Sequence, residues 1–281
     1  MDNTLTAVGM DRPIRVAYFG GAFLEYSAVV FLSALSTHPQ VEFVGGVCQS
    51  DGFGLAQRIR ETAKRRGAMA PFALAIHLMR ALVPLLRTPR QSREIRRNSR
   101  RAIDRIFAVP DMHAPEVLER VRAMDADLGL IYGSPVLRPE LFGIPRLGTL
   151  GIHHGTLPRY RGRKTTFWEV FNGEPAAGVV IQRVNAGLDT GDIVMQGEVP
   201  IGRRWWWSVE RDLHTLGIHL YLDAILAVRS GKATPRPQLR AGLVKSYHDP
   251  GLRDELRLAG RLIASRFRAS GTTRSRNEGP R

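Results

Sequence analysis

Cysteine is almost missing from this chain: Cys48 stands alone among 281 residues. That excludes an internal disulfide, and with no Cys-x-x-Cys pair or Cys/His cluster there is no ligand set for a structural zinc. A reducing, cytoplasmic setting follows. The N-terminus has no charged segment leading into a long apolar one, so it reads as a short disordered leader, residues 1–13, not as a secretory signal. No repeat period is present. The phosphate-cradling pattern G-x-G-x-x-G is missing too: "GGAF" follows the first apolar run, and no acidic residue closes the second run in the required context.

What the chain has is apolar content, 43% of residues, and a formal charge of +15. The first is enough for a full core. The second admits anionic partners: nucleic acid, an anionic membrane surface or a phosphorylated substrate. The basic residues crowd into Arg58–Arg105 and Arg261–Arg281, whereas 148–199 is nearly balanced. The end of the chain, 269–281, which closes on "SGTTRSRNEGPR", reads as a disordered basic tail.

Apolar periodicity predicts alternating strands and helices. "IRVAYF" (14–19) and "VEFVGGVC" (41–48) are strands flanking a helix at 25–38; "APEVLERVRAMD" (114–125) is a helix with proline in its first turn, and "ADLGLIYG" (126–133) a buried strand. "GVVIQRV" (178–184) and "IVMQGEVPI" (193–201) alternate as an antiparallel pair, and 209–231 is a long amphipathic helix ending at Gly231. The fold class is therefore α/β: an open, mostly parallel twisted sheet with helices on both faces, plus a helical insert and a short C-terminal extension.

The insert covers about 55–110. Its apolar stretch, 67–89, is interrupted by His77, Arg80 and Pro84, which makes it a poor membrane span. Flanked by basic residues, 67–105 has three readings: a segment lying on an anionic membrane surface at the inner face, a lid or homo-oligomer contact, and a helical hairpin packed on the domain.

Ligands of open parallel sheets collect at the carboxyl ends of the strands, and 132–162 reads as one long irregular stretch after such an end. It contains "GIHHGTLPRYRG" (151–162). His153, beside Ile152 and several glycines, is a candidate general acid or base. Downstream, "NAGLDTGDI" (185–193) offers Asp189 and Asp192, either as turn residues or as a carboxylate orienting the imidazole.

His153 with "GTLPRYRG", then "WEVFNGE" (168–174) and "GVVIQRVNAGLDTGDIV" (178–194), together with "YGSPVLRPELF" and "IRVAYFGG" upstream, resembles the folate-dependent formyltransferases. The resemblance covers most of 14–201. It implies a catalytic domain at 14–208 and a helical extension at 209–268. It also implies transfer of a formyl group from 10-formyltetrahydrofolate to a primary amine, with His153 catalytic, Asp189 its partner and no metal. The folate would lie along Tyr132, Gly133, Ser134, Pro135, Val136 and Leu137. Substrate contacts would fall to His154, a loop neighbour of the base, and to Tyr160, Arg161 and Trp168.

One position departs from the pattern. The family places an asparagine two residues before the histidine, where its amide helps to bind the oxyanion; this chain has Gly151, with only a backbone N–H. Either Ser134, Thr166 or a backbone amide substitutes, or the enzyme is slow, or the chemistry has changed. The favoured acceptor is the amine of a small molecule, an amino sugar carried on a nucleotide or lipid or a similar metabolite. Nucleic acid is disfavoured, because about eighty residues follow Ile201 and tRNA-formylating members carry a β-barrel there. The alternatives are a formyl-folate hydrolase, a methionyl-tRNA formyltransferase-like enzyme, and a non-catalytic folate-binding or membrane-associated homologue. "RRWWW" (203–207) adds one more expectation: three consecutive tryptophans cannot all face one core from a strand, whose side chains alternate, so at least one is exposed.

Overall fold

The computed structural model describes residues 12–21, 26–49, 89–238 and 246–274. The expected leader up to residue 11, the apolar part of the insert and the end of the tail lie outside the described residues. A seven-stranded sheet has the order β3-β2-β1-β4-β5-β7-β8. Its strands are β1 (Ile14–Gly20), β2 (Val41–Gln49), β3 (Ile106–Val109), β4 (Leu128–Tyr132), β5 (Thr149–His154), β7 (Ala176–Arg183) and β8 (Ile193–Pro200). The first five are parallel, and the last two are antiparallel to their neighbours.

Helices cover both faces, and the strands show why. In β1, Val16 and Tyr18 enter one core cluster while Ala17 and Phe19 enter the other, so both sides of the strand are apolar. Helices α1 (Tyr26–Thr37) and α6 (Trp206–Arg229) supply the first cluster; α3 (Pro115–Ala123) and α4 (Pro139–Phe142) supply the second. Tyr221 ties α6 to the sheet. Its buried hydroxyl donates to the Leu150 carbonyl at 2.7 Å and accepts from the Ile131 N–H at 3.0 Å, linking β4 and β5.

Three expectations change. The stretch 132–162 is not continuous loop: β5 and α4 lie inside it, because Leu150 and Ile152 carry the strand alternation that the glycines around them obscure. The region expected as insert up to residue 110 contains the sheet's edge strand β3, preceded by the arginine-rich helix α2 (Pro89–Ile103) packed on α1. The tryptophan run is not strand but the start of α6, with Trp205 as its N-cap. Trp205 and Trp206 pack on the third core cluster, and Trp207 is 43% exposed.

Arg12, within the expected leader, is fixed by two hydrogen bonds to the fully buried carboxylate of Asp127, at 2.8 and 3.0 Å. Burial pushes the Asp127 carboxyl up, but bonds from Arg12, the Arg15 N–H and Arg146 outweigh it and hold the group below its ordinary value. A separate two-stranded parallel ladder joins β6 (Arg161–Gly162) to β9 (Ser246–Tyr247). Through it the C-terminal segment reaches the loop after β5. Helix α7 (Leu252–Arg274) follows and packs Leu258 and Leu262 against helix α5 (Thr165–Asn172).

Among the described residues no helix is long and apolar enough to cross a membrane.

Candidate active site

Alternation along β5 sends its two histidines to opposite faces of the sheet. His153 shares a face with Gly151, Ile131 of β4 and Gln182 of β7; His154 shares the other with Ile152 and faces α6. His154, expected in a loop near the acceptor, is instead packed between Tyr132 and His214 on the far side of the strand.

The His153 ring is nearly buried, at 7% exposure. Its Nε2 lies 2.6 Å from the Tyr160 carbonyl oxygen, so Nε2 carries a proton and donates it. That fixes the ring and leaves Nδ1, 3.4 Å from Asp189 Oδ1, as the nitrogen open to proton exchange. Such a separation is longer than a hydrogen bond and leaves the carboxylate beside the nitrogen that exchanges the proton.

Asp189 occupies a turn whose geometry explains its motif. Asn185 Oδ1 accepts from the Gly187 N–H at 3.0 Å and from Thr190 Oγ1 at 2.8 Å, closing an Asx turn. Asp189 itself sits at φ +51°, in the left-handed region that aspartate tolerates. Its carboxylate accepts from the Gly162 N–H (3.2 Å) and from Gln182 Nε2 (3.2 Å). Gly162, at φ +98°, has no room for a side chain: a Cβ would fall 2.3 Å from the Tyr247 carbonyl oxygen. Of the two candidate carboxylates, Asp189 is the one that meets the histidine.

The stretch proposed for the folate divides. Tyr132 and Leu137 are buried, the Tyr132 ring stacked on Phe31 and its hydroxyl 2.9 Å from His214 Nδ1. Between them Gly133, Pro135 and Val136 form an exposed ledge, with Val136 71% exposed. The ledge lies at the carboxyl end of β4, where the sheet order reverses between β1 and β4; there a Cβ on Gly21 would come within 2.5 Å of the Gly133 carbonyl oxygen. An open ledge with exposed backbone beside apolar cover is fit for the edge and face of a flat heterocycle.

Residues expected at the acceptor make these contacts within the protein. The Tyr160 hydroxyl donates to Glu174 at 2.8 Å, and burial pushes its pKa up to about 12, so it stays neutral. Trp168 Nε1 donates to the His248 carbonyl at 2.7 Å, and its ring leans on Tyr247. Arg161 reaches Gln238 Oε1 at 3.2 Å. Ser134 donates to the Pro135 carbonyl at 2.7 Å, and among the described residues no hydrogen bond joins Thr166 to His153 or Asp189.

Three contributors escaped the sequence reading. Glu169, Gln182 and Gln238 are buried polar side chains, and Gln182 alone left a trace, as a polar residue inside the apolar run of β7.

Residues 36–224, well over half of the chain, match the formyl transferase family. The chain belongs to that family. The chain is 34% identical over 127 residues to the methionyl-tRNA formyltransferase of Synechococcus sp. (strain JA-2-3B'a(2-13)), a match covering 44% of this chain and 39% of the relative. It thus spans less than half the length of the curated relatives it matches. A sugar N-formyltransferase from Shewanella sp FDAARGOS_354 superposes with a TM-score of 0.55 at 14% identity, over 87% of this chain and 86% of that one. HypX from Aquifex aeolicus in complex with tetrahydrofolic acid gives 0.52 at 15% identity, over 84% of this chain and 30% of that one. At such identities the two structures share the fold with this formyl transferase family member.

Proposed function

We propose that the chain transfers a formyl group from 10-formyltetrahydrofolate to a primary amine, and that the acceptor is an amino sugar borne on a nucleotide or lipid, or a similar metabolite. The observation that carries this reading is the His153–Asp189 pair beside the ledge at 133–136. The amine nitrogen adds to the formyl carbon, whose oxygen becomes an oxyanion. His153 Nδ1, backed by Asp189, takes the proton that the resulting ammonium must lose. The bond from carbon to the folate nitrogen then breaks as that nitrogen is protonated, leaving a formamide and tetrahydrofolate. Tyr160 holds the imidazole in place through its carbonyl, and no covalent intermediate on the protein is involved.

The acceptor reading draws on the exposed arginines and lysine around the loop. Arg159, Arg163 and Lys164 are 63%, 72% and 47% exposed, each with an acidic neighbour that leaves the guanidinium or ammonium open to a phosphate. A formyl-methionyl-tRNA product is the second reading, favoured by the names of the curated relatives and by the basic face of α2.

Incubation with 10-formyltetrahydrofolate and a panel of nucleotide-linked amino sugars, with methionyl-tRNA in parallel, decides between them by mass spectrometry. The expected result is a gain of one formyl group on a sugar amine, lost in His153→Ala and Asp189→Ala. Formate release at the same rate with no amine present would make the chain a hydrolase instead.

A further inference from the structure

Formyl transfer develops a negative oxygen, and a site that accelerates it aims a preorganised donor at that oxygen. The His153 face of the sheet offers few. Gly151 has no side chain; an added Cβ would stand in a tight contact 3.3 Å from Val184 Cγ2 and in an ordinary one 3.9 Å from Ile131 Cβ. The Ser134 hydroxyl is committed to Pro135.

Gln182 is different. In the β5–β7 ladder it lies directly opposite Gly151, two pairs from the pairing of His153 with Val180, so its side chain rises from the same face as the imidazole. It is 6% exposed and follows an apolar run in its strand, where an amide is costly unless it is bonded.

Its bonds define its direction. Gln182 Oε1 accepts from Gln238 Nε2 at 3.0 Å, which turns Gln182 Nε2 toward Asp189 Oδ1 at 3.2 Å. That carboxylate oxygen is the one 3.4 Å from His153 Nδ1. Gln238 is pinned in turn: its Nε2 also reaches the Asp189 carbonyl (3.0 Å) and the Gly191 carbonyl (2.8 Å), and its Oε1 accepts from Arg161. A primary amide carries two N–H bonds. One is used on Asp189; the second has no acceptor among the described residues.

We propose that Gln182 is the side-chain donor to the oxyanion, reaching across the ladder to the position that Gly151 leaves bare, and that Gln238 is its positioning residue. The proposal rests on the formyl-transfer reading above.

Nuclear magnetic resonance of the full chain labelled with nitrogen-15 tests it. The Gln182 side-chain amide, assigned by its absence in Gln182→Met, is followed while a stable formylated folate analogue is added, and then tetrahydrofolate. The expected result is a shift of the Gln182 amide with the formylated analogue and little with tetrahydrofolate. Binding of the analogue with that amide unmoved overturns the role of Gln182 alone, while absence of any binding overturns the donor reading and this role together. In single turnovers Gln182→Met is expected to slow tetrahydrofolate formation on the order of 100-fold at unchanged analogue affinity. Gly151→Asn combined with Val184→Ala, which clears the space for the new side chain, should recover about tenfold or more in that background. A Gln182→Met rate within about threefold of wild type overturns the proposal. Should Gln182→Met fail to fold, the Gln182 amide is assigned on the wild-type chain by through-bond correlation to its own backbone, and the shift with the analogue is still read.

Discussion

The imidazole rings of His154 and His214 stand 4.2 Å apart between β5 and α6, with Tyr132 closing one side. His154 Nε2 is buried without a hydrogen-bond partner. Burial, and after it the nearby His214, His153 and Lys164, push its pKa well below 6.5, so it is neutral when the protein is folded.

A pH dependence follows. The unfolded chain binds a proton at His154 below about pH 6.5, and the folded chain does not, so this residue's share of stability is present above that pH and is lost as the pH falls. Urea unfolding between about pH 8 and pH 5 should show wild type losing as much as about 1.4 kcal/mol per pH unit more than His154→Phe. Parallel curves for the two proteins would refute it.

Glu169 closes the loop that follows β5, the strand that carries His153. Fully buried, its Oε1 accepts from the Thr156 N–H and Oγ1, both at 2.7 Å, and from the Gly178 N–H at 3.2 Å; burial pushes its pKa up. Replacing it leaves those donors without partners, so Glu169→Ala should cost roughly 2–4 kcal/mol. Denaturant titration measures the loss, and the loop after β5 should gain amide hydrogen exchange in the variant.

Tyr221 binds α6 to the middle of the sheet through one hydroxyl. Tyr221→Phe keeps the ring but strands the Ile131 N–H and the Leu150 carbonyl, an expected cost of about 1–3 kcal/mol. Thermal unfolding with the ligand site assayed in parallel should show lower stability and unchanged folate binding.

The sequence exposed what repeats locally. The β1–α1–β2 unit, α3, β4, the β7–β8 pair and α6 all carry the apolar period of their element, and each is present close to its expected bounds. β5 was hidden because Thr149, Gly151 and His153 fill its site face and its opposite face, Leu150 and Ile152, ends in a second histidine, His154. β3 was hidden by its shortness and its arginine-rich neighbour. At the site, His153 and Asp189 were legible through motif blocks, and the structure brings them together. Which of two adjacent histidines faces the site depended on strand register, and register was invisible until β5 was known to be a strand. Gln238 had no local signal, since its meaning comes from contacts with residues about fifty positions earlier.

Gln238 also lies beyond residue 224, where the match to the family ends. The stretch of chain that similarity outlines is thus shorter than the stretch that furnishes the pocket. A fragment trimmed at the family's border would keep His153 and Asp189 while losing the clasp, Gln238, that orients the amide beside them.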